Sequence, residues 1–246
     1  MPRRPRLEVP GGSHHVWQRG NRRQTMFADD ADHRLFLWLL SEVSRKRNWS
    51  CLSYCLLTNH FHLVIETPEP TLGLGMRDLL STYAVAFNER QETGGGHLCQ
   101  ARFKSKPVTT NEQFAQLLRY VARNSVAAGL CANPGGWRWS SHSALLLPQP
   151  HPVVDAWRVD DLLASWGTPQ GRRYAALFDD DGPLRHIDPD LSPWKLRPTL
   201  NEILDSTDLR AAILRARRHG YRLADVAAET GLSPATLSRM LHERSE

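Results

Sequence analysis

The sequence predicts an α+β fold in which helices pack on an antiparallel sheet. Along residues 14–130, extended segments with alternating apolar residues are interleaved with helical segments. Two extended segments, 49–57 and 60–68, are separated only by Thr58 and Asn59, which is typical of a hairpin. Hairpin-type connections build antiparallel sheets, and helices mixed with such strands must cover a sheet face.

Three longer segments have the periodicity and end signals of helices. They span residues 29–47, about 72–92, and 111–129. The first has acidic residues in its first turn and basic residues in its last turn, as the helix dipole favours. The third opens on a capping-box pattern, Thr110 and Gln113, and stops at a glycine. Two further segments, 14–19 and 98–108, are predicted to be extended, the second as a strand or hairpin.

Composition and charge narrow the class of protein. Apolar residues make up 41% and charged residues 23% of the 246 residues, as in ordinary globular proteins. The longest apolar run, 35–40, is too short to span a bilayer, and the start of the sequence lacks the apolar core of a signal peptide. We therefore expect a cytoplasmic protein without membrane contact. The four cysteines include no C-x-x-C pair, which favours buried reduced thiols over zinc ligands.

The excess of basic over acidic residues lies in the first half of the chain. Residues 1–130 hold 17 Lys and Arg against 11 acidic residues, whereas 131–200 hold 7 against 8. Local clusters of this kind attract a phosphate backbone, so we predict nucleic-acid contacts. The basic clusters are 3–6, 19–23, 45–47 and 102–106. The DNA contacts predicted in this half are Arg19, Arg22, Arg23, Arg102, Lys104, Lys106, Arg119 and Arg123.

The tail contains three short helical patterns in succession. Ala227 and Gly231, followed by a Ser-Pro pair, fit a helix-turn-helix, with a small residue at the helix contact and a glycine in the turn. Thr236 and Arg239 would then face outward and contact DNA. A three-helix packing module without DNA binding is the alternative. The region before the tail contains many prolines and the acidic run 179–181, and this composition indicates a connecting region.

Two histidines, His60 and His62, share one face of a predicted strand. The residues between and beyond them, Phe61, Leu63 and Ile65, form the opposite apolar face, because strand side chains alternate. The histidine Cα atoms stand roughly 6 to 7 Å apart at a rise of about 3.3 Å per residue, so both imidazoles can converge on one ion. An isolated pair is equally compatible with one core and one exposed histidine.

Helix periodicity separates two of the five tyrosines. Tyr83 lies in an apolar stripe with Leu79 and Phe87, which predicts a core tyrosine. Tyr120 and Asn124 lie beside the apolar stripe of the third helix and project together, four residues apart. Asn124 offers an amide oxygen for a divalent ion, and Tyr120 offers a hydroxyl within reach of it. The spacing alone is also compatible with a surface pair.

Several segments together resemble the REP-associated tyrosine transposases. These proteins are relatives of the IS200-type transposases in the His-hydrophobic-His endonuclease superfamily. The resemblance covers residues 10 to about 145 and implies that Tyr120 is the catalytic nucleophile and that His60, His62 and Asn124 bind the metal. The segments are 14–27, 60–68, 97–105, 120–130 and 137–141. The chain departs from the usual family pattern at Cys99, Ala101 and Ser125.

The resemblance implies a single-stranded DNA endonuclease and strand transferase. It implies Mg²⁺ or Mn²⁺ as cofactor, a 5′-phosphotyrosine intermediate, and hairpins of repetitive extragenic palindromes as substrate. The organisation then becomes a catalytic domain (1–147), a connecting region (148–200) and a helix-turn-helix domain (201–246), which duplex DNA would contact. The alternatives are a replication-initiator-type nickase and a non-catalytic DNA-binding regulator. The sequence leaves the oligomeric state open.

Overall fold

The computed structural model describes residues 8–92, 95–146, 150–164, 173–178, 199–218, 221 and 223–242. The sequence clusters at 3–6 and 179–181 lie outside these residues. Four strands, in the order β2-β3-β1-β4, form a sheet in which every pairing is antiparallel. The predicted α+β class is confirmed. The strands are β1 (Gly12–Arg19), β2 (Ser50–Leu56), β3 (His60–Thr67) and β4 (Lys104–Pro107).

The extended segment predicted at 98–108 is a strand over only its last residues. Residues 98–103 instead form a loop fastened to the end of β1, where the Gln100 amide donates to the Arg19 carbonyl oxygen at 3.1 Å. The Gln18 side-chain amide donates to the Ala101 carbonyl oxygen, so a side chain takes an acceptor that a ladder partner would otherwise use.

The helices begin and end near the predicted positions. Asp29 caps the first helix by accepting hydrogen bonds from the amides of Ala31 and Asp32. Thr110 accepts from the Gln113 amide, but the Gln113 side chain accepts from Thr109 rather than from Thr110, so only half of the capping box forms. The helices are α1 (Asp30–Arg47), α2 (Leu72–Arg90), α3 (Asn111–Ala127), α4 (His142–Leu146), α5 (Ala156–Leu163), α6 (Leu200–Leu204), α7 (Leu209–Arg218), α8 (Leu223–Thr230) and α9 (Pro234–His242).

Different helices pack on the two faces of the sheet. Phe61 of β3 points to the face covered by α1 and α2, where its ring lies 4.9 Å from that of Phe36. On the same side Tyr83 of α2 is fully buried and donates its hydroxyl to the Met26 carbonyl oxygen. The prediction of Tyr83 as a core residue is confirmed. The neighbouring His60 and His62 point to the opposite face, which α3 approaches.

The main core extends past the predicted boundary at residue 147. Val153, Val159 and Tyr174 are buried in the same apolar cluster as the sheet. Arg158 of α5 also donates two hydrogen bonds to Glu66 of β3, at 2.7 and 2.8 Å. Part of the connecting region therefore packs on the first domain, while the domain boundaries stay a prediction.

The tail helices form a separate apolar cluster. Its buried members include Ile213 of α7, Val226 of α8 and Leu237 of α9. Gly231 joins α8 to α9 with a φ of +71°, a backbone conformation that favours glycine. Ser233 then caps α9 by accepting from the Thr236 amide at 3.1 Å. The C-terminal part of the described chain is thus all-helical.

Two expectations from composition concern thiols and membranes. All four cysteines are free; Cys51 and Cys55 are buried, and burial raises the pKa of each of these two thiols to about 12. Among the described residues, no helix combines the length and the apolar character needed to cross a bilayer.

A core histidine makes stability depend on pH. His33 stacks on Trp139 at 4.5 Å, and burial lowers its pKa to about 4, below the ordinary value of 6.5. Between these two values the unfolded chain binds the proton more tightly, so the free energy of unfolding should fall as pH is lowered from 7 to 5. The expected loss from His33 is about 1 to 2 kcal/mol. Urea unfolding at several pH values measures it.

The matched variant for this prediction is His33→Phe, which keeps an aromatic ring against Trp139 but does not titrate. Its unfolding free energy should fall less between pH 7 and pH 5 than that of the wild type. Equal slopes in the two proteins would show that His33 is not the titrating group.

Candidate active site

The register between β1 and β3 brings histidines and basic residues onto one sheet face. Trp17 pairs with His62 and Arg19 pairs with His60. Cross-strand partners point to the same side, so these four side chains share the face that α3 approaches. Arg19 is exposed beside His60.

The short edge strand β4 adds two lysines to this face. Lys104 pairs with Trp17 and Lys106 pairs with His15. Both lysines are exposed, and both were predicted as DNA contacts from sequence. Three cationic side chains therefore flank the histidines on two strands, a charge distribution that suits a phosphate backbone.

Tyr120 of α3 stands over the histidines. Its ring centroid lies 5.3 Å from that of His62 and 5.8 Å from that of His15, edge-on to both. The side chain is 51% exposed, so the hydroxyl remains open to a ligand from solvent. By contrast, Tyr83 lies in the core on the far side of the sheet. Of the two tyrosines that the sequence singled out, the structure brings only Tyr120 to the histidines.

Asn124 lies one helical turn after Tyr120 and is hydrogen-bonded to its backbone. Its side-chain amide nitrogen donates to the Tyr120 carbonyl oxygen at 2.6 Å. Because the nitrogen is the donor in this bond, the amide oxygen is the atom that Asn124 can present to a cation. The residue is half-buried at the end of α3 that carries Tyr120.

Burial keeps the two predicted ligand histidines neutral. The pKa of His62 is lowered to about 3, first by burial and then by the nearby His15, His60 and Arg19. The pKa of His60 is lowered by burial and by Arg19. A neutral imidazole retains a nitrogen lone pair at physiological pH, which a metal ligand needs.

The donor set is compatible with a divalent cation only when the amide is included. Among the described residues, no three His, Cys, Asp or Glu side chains form a group that could hold an ion. Two neutral imidazoles and the Asn124 amide oxygen, the ligands predicted from sequence, would make a mixed nitrogen and oxygen set. Such a set fits Mn²⁺ better than Mg²⁺, because Mg²⁺ prefers oxygen ligands.

Sequence reasoning missed His15. Its Nε2 lies 2.9 Å from Nδ1 of His62, and its ring stacks on Trp17 at 4.7 Å. Burial is the main cause that lowers the pKa of His15 to about 4, with Lys106 adding to it. The alternation of β1 was a usable signal, since His15, Trp17 and Arg19 share one face, but only the pairing of β1 with β3 shows which face.

The remaining predicted DNA contacts lie on several different elements. Arg22 and Arg23 are exposed in the turn after β1, with φ values of 48° and 63°. Arg102 is exposed in the loop before β4, and α3 carries Arg119, half-buried, and Arg123, exposed. Thr236 and Arg239 belong to α9, whose Leu237 is buried in the separate tail cluster.

Comparison with known proteins agrees with this architecture. Residues 11–124 match the family model described as IS200-like transposase. A solved structure of a REP-associated tyrosine transposase bound to a REP hairpin is similar in fold, with a TM-score of 0.52 and 17% sequence identity. The similarity covers 63% of this chain and 94% of that one. No protein with a curated description matches the sequence.

Proposed function

We propose that the chain cleaves and rejoins single-stranded DNA with Tyr120 as nucleophile, because residues 11–124 match the family model of IS200-like transposases. The observation that carries the proposal is the position of Tyr120, whose ring lies 5.3 Å from the His62 ring over a cationic sheet face. The resemblance noted in the sequence and the geometry of the site thus both support Tyr120.

The proposed reaction is a transesterification. The Tyr120 oxygen bonds to the scissile phosphorus, the bond from phosphorus to the 3′ oxygen breaks, and the phenolic proton is balanced by protonation of that 3′ oxygen. The products are a 5′-phosphotyrosine and a free 3′-hydroxyl. Since the phosphodiester count is unchanged, a 3′-hydroxyl can reverse the step and join strands without an external energy source.

Each site residue has a role in this proposal. His60, His62 and Asn124 would hold a divalent cation, Mn²⁺ or Mg²⁺, which when bound polarises the phosphate toward attack. Arg19, together with the lysines of β4, holds the DNA backbone against the sheet face. Tyr120 is open to solvent, so a strand can enter without rearrangement of the core.

The proposed substrate is a single strand folded into a hairpin. The tyrosine must reach a phosphate that is not covered by a complementary strand, and the similar solved structure holds a REP hairpin. We therefore include repetitive extragenic palindromes as the substrate class. The tail helices would contact duplex DNA through α9, where Arg239 is exposed and Thr236 is half-buried and bonded to Ser233.

A labelled hairpin oligonucleotide tests the proposal. With Mn²⁺, the full-length protein should form a covalent adduct with the strand that survives denaturing electrophoresis, and chelation of the metal should abolish the adduct. The matched control is the same sequence annealed to its complement, which should react far less. A non-catalytic regulator would bind the hairpin without forming an adduct, so binding without adduct in both Mn²⁺ and Mg²⁺ would refute the enzymatic proposal.

A further inference from the structure

We propose that His15 is a positioning residue for His62. Its Nε2 accepts a hydrogen bond from Nδ1–H of His62 and thereby leaves the His62 Nε2 lone pair for the cation. The inference rests on the proposed function for its purpose, although the hydrogen bond itself can be tested without any DNA reaction.

The geometry supports a directed contact between the two rings. The nitrogen-to-nitrogen distance is 2.9 Å, and the rings are 5.2 Å apart at 22°. The His15 ring also stacks on the Trp17 ring, at 4.7 Å and 29°. His15 therefore contacts both Trp17 and His62 on the sheet face, and these two contacts fix the direction of its Nε2.

The position of the ring hydrogen determines whether Nε2 of His62 can bind a metal ion. A hydrogen bond between two neutral imidazoles uses one hydrogen, so either ring can be the donor. If His15 donated, Nδ1 of His62 would accept, and the His62 hydrogen would sit on Nε2 and block that atom as a ligand. If His62 donates, Nε2 is a free lone pair. Only the second arrangement is compatible with His62 as a ligand through Nε2.

The other predicted ligand on β3, His60, also has a hydrogen-bond acceptor at its Nδ1. Nδ1 of His60 lies 2.7 Å from the side-chain oxygen of Asn59, which can only accept. His60 must therefore carry its hydrogen on Nδ1 and present Nε2 as a lone pair. His15 does for His62 what Asn59 does for His60, so both ligand candidates present the same ring atom.

A role as a third ligand fits the structure less well. His15, His60 and His62 are all described residues, yet they do not form a group that could hold an ion together. The Nε2 atom that His15 would offer to an ion is the atom aimed at His62. The arrangement is that of a partner behind the ligand, which fixes ring orientation and tautomer.

The experiment compares two variants of the full-length protein labelled with ¹⁵N-histidine. His15→Phe keeps a ring against Trp17 but has no acceptor, whereas His15→Gln has a side-chain oxygen that can accept from His62. Metal-free ¹⁵N NMR spectra report the tautomer of His62, with its signals assigned by their loss in His62→Gln. Titration with Mn²⁺ alone, followed by electron paramagnetic resonance, gives the dissociation constant.

We expect wild-type His62 to carry its hydrogen on Nδ1. In His15→Phe this preference should be lost and the Mn²⁺ dissociation constant should rise by about tenfold or more, the usual effect of removing a partner behind a metal ligand. In His15→Gln the tautomer should be retained and the dissociation constant should stay within about threefold of the wild-type value.

Three results would overturn the inference. The first is wild-type His62 with its hydrogen on Nε2, which can be read even if a variant fails to fold. The second is an unchanged tautomer in His15→Phe. The third is His15→Gln binding Mn²⁺ as weakly as His15→Phe in a folded protein. If the cation and tautomer results hold but no DNA adduct forms, the proposed function fails and the role of His15 stands.

Discussion

Tyr120→Phe should lower covalent attachment to a single-stranded hairpin by more than about a thousandfold, because the variant lacks the oxygen that bonds to phosphorus. The ring that faces His62 at 5.3 Å is retained. Hairpin affinity should therefore stay within about threefold of wild type, since the cationic side chains that hold the backbone are unchanged. Adduct yield on denaturing gels and a binding isotherm with the same oligonucleotide measure the two effects separately.

Tyr83→Phe is the matched control for this variant. It removes the same oxygen from a tyrosine on the opposite side of the sheet, where the hydroxyl donates to the Met26 carbonyl oxygen. Adduct formation should survive, while the free energy of unfolding should fall by about 1 to 2 kcal/mol because a buried acceptor loses its donor. Attachment retained in Tyr120→Phe, or lost in Tyr83→Phe without unfolding, would contradict the assignment of the nucleophile.

Arg90→Met should lower the free energy of unfolding by about 3 kcal/mol, since it leaves a buried carboxylate without its cation. Arg90 at the end of α2 donates to Asp32 at 3.0 Å and to Asp29 at 2.6 and 2.8 Å, which fastens α2 to the start of α1. The Asp32 side chain is fully buried, and the Arg90 side chain is 17% exposed. Chemical denaturation at neutral pH gives the loss.

The pH dependence of this loss has a definite sign. Burial already raises the pKa of Asp32 in the wild type, with Arg90 opposing the rise. Without Arg90 the pKa must rise further, so the folded variant binds a proton that the unfolded chain releases near the ordinary value of 3.8. A raised pKa contributes stability that is lost as pH rises, so the deficit of the variant should be smaller at pH 5 than at pH 8.

Two controls separate the buried pair from charge in general. Arg45→Met removes an arginine whose side chain is 75% exposed and paired with Glu42 on the surface of α1, so the unfolding midpoint should not move measurably. Adding Asp32→Asn to Arg90→Met should restore part of the loss, because the two residues interact directly. A deficit in Arg90→Met no larger than that of Arg45→Met would show that the pair does not stabilise the fold.

Helical periodicity predicted which side chains of α2 and α3 are buried, but not what the exposed ones face. The pattern of α2 placed Tyr83 in the core, and the structure confirms it, because a helical stripe is a property of residues a few positions apart in one chain segment. The same reasoning set Tyr120 and Asn124 beside the buried stripe of α3. It could not show what they face, since that depends on where α3 lies over the sheet.

The length of an edge strand could not be predicted from local sequence patterns. The segment 98–108 reads as extended throughout, yet only Lys104–Pro107 pairs with β1, because the preceding residues bond to the end of β1 in a loop. The length of an edge strand depends on its hydrogen bonds to the neighbouring strand, and these cannot be predicted from the sequence of the edge strand alone.

Local patterns in the sequence were enough to predict the α+β class, the face shared by His60 and His62, and the burial of Tyr83, because all three follow from the alternation or period of nearby side chains. The pairing of β1 with β3, which brings His15 to His62, is visible only in the folded protein, and so is the packing of α2 on α1 that brings Arg90 to Asp32. Those contacts join residues 47 and 58 positions apart. They arise from the packing of whole elements, which is fixed by burial and hydrogen bonding summed over the chain.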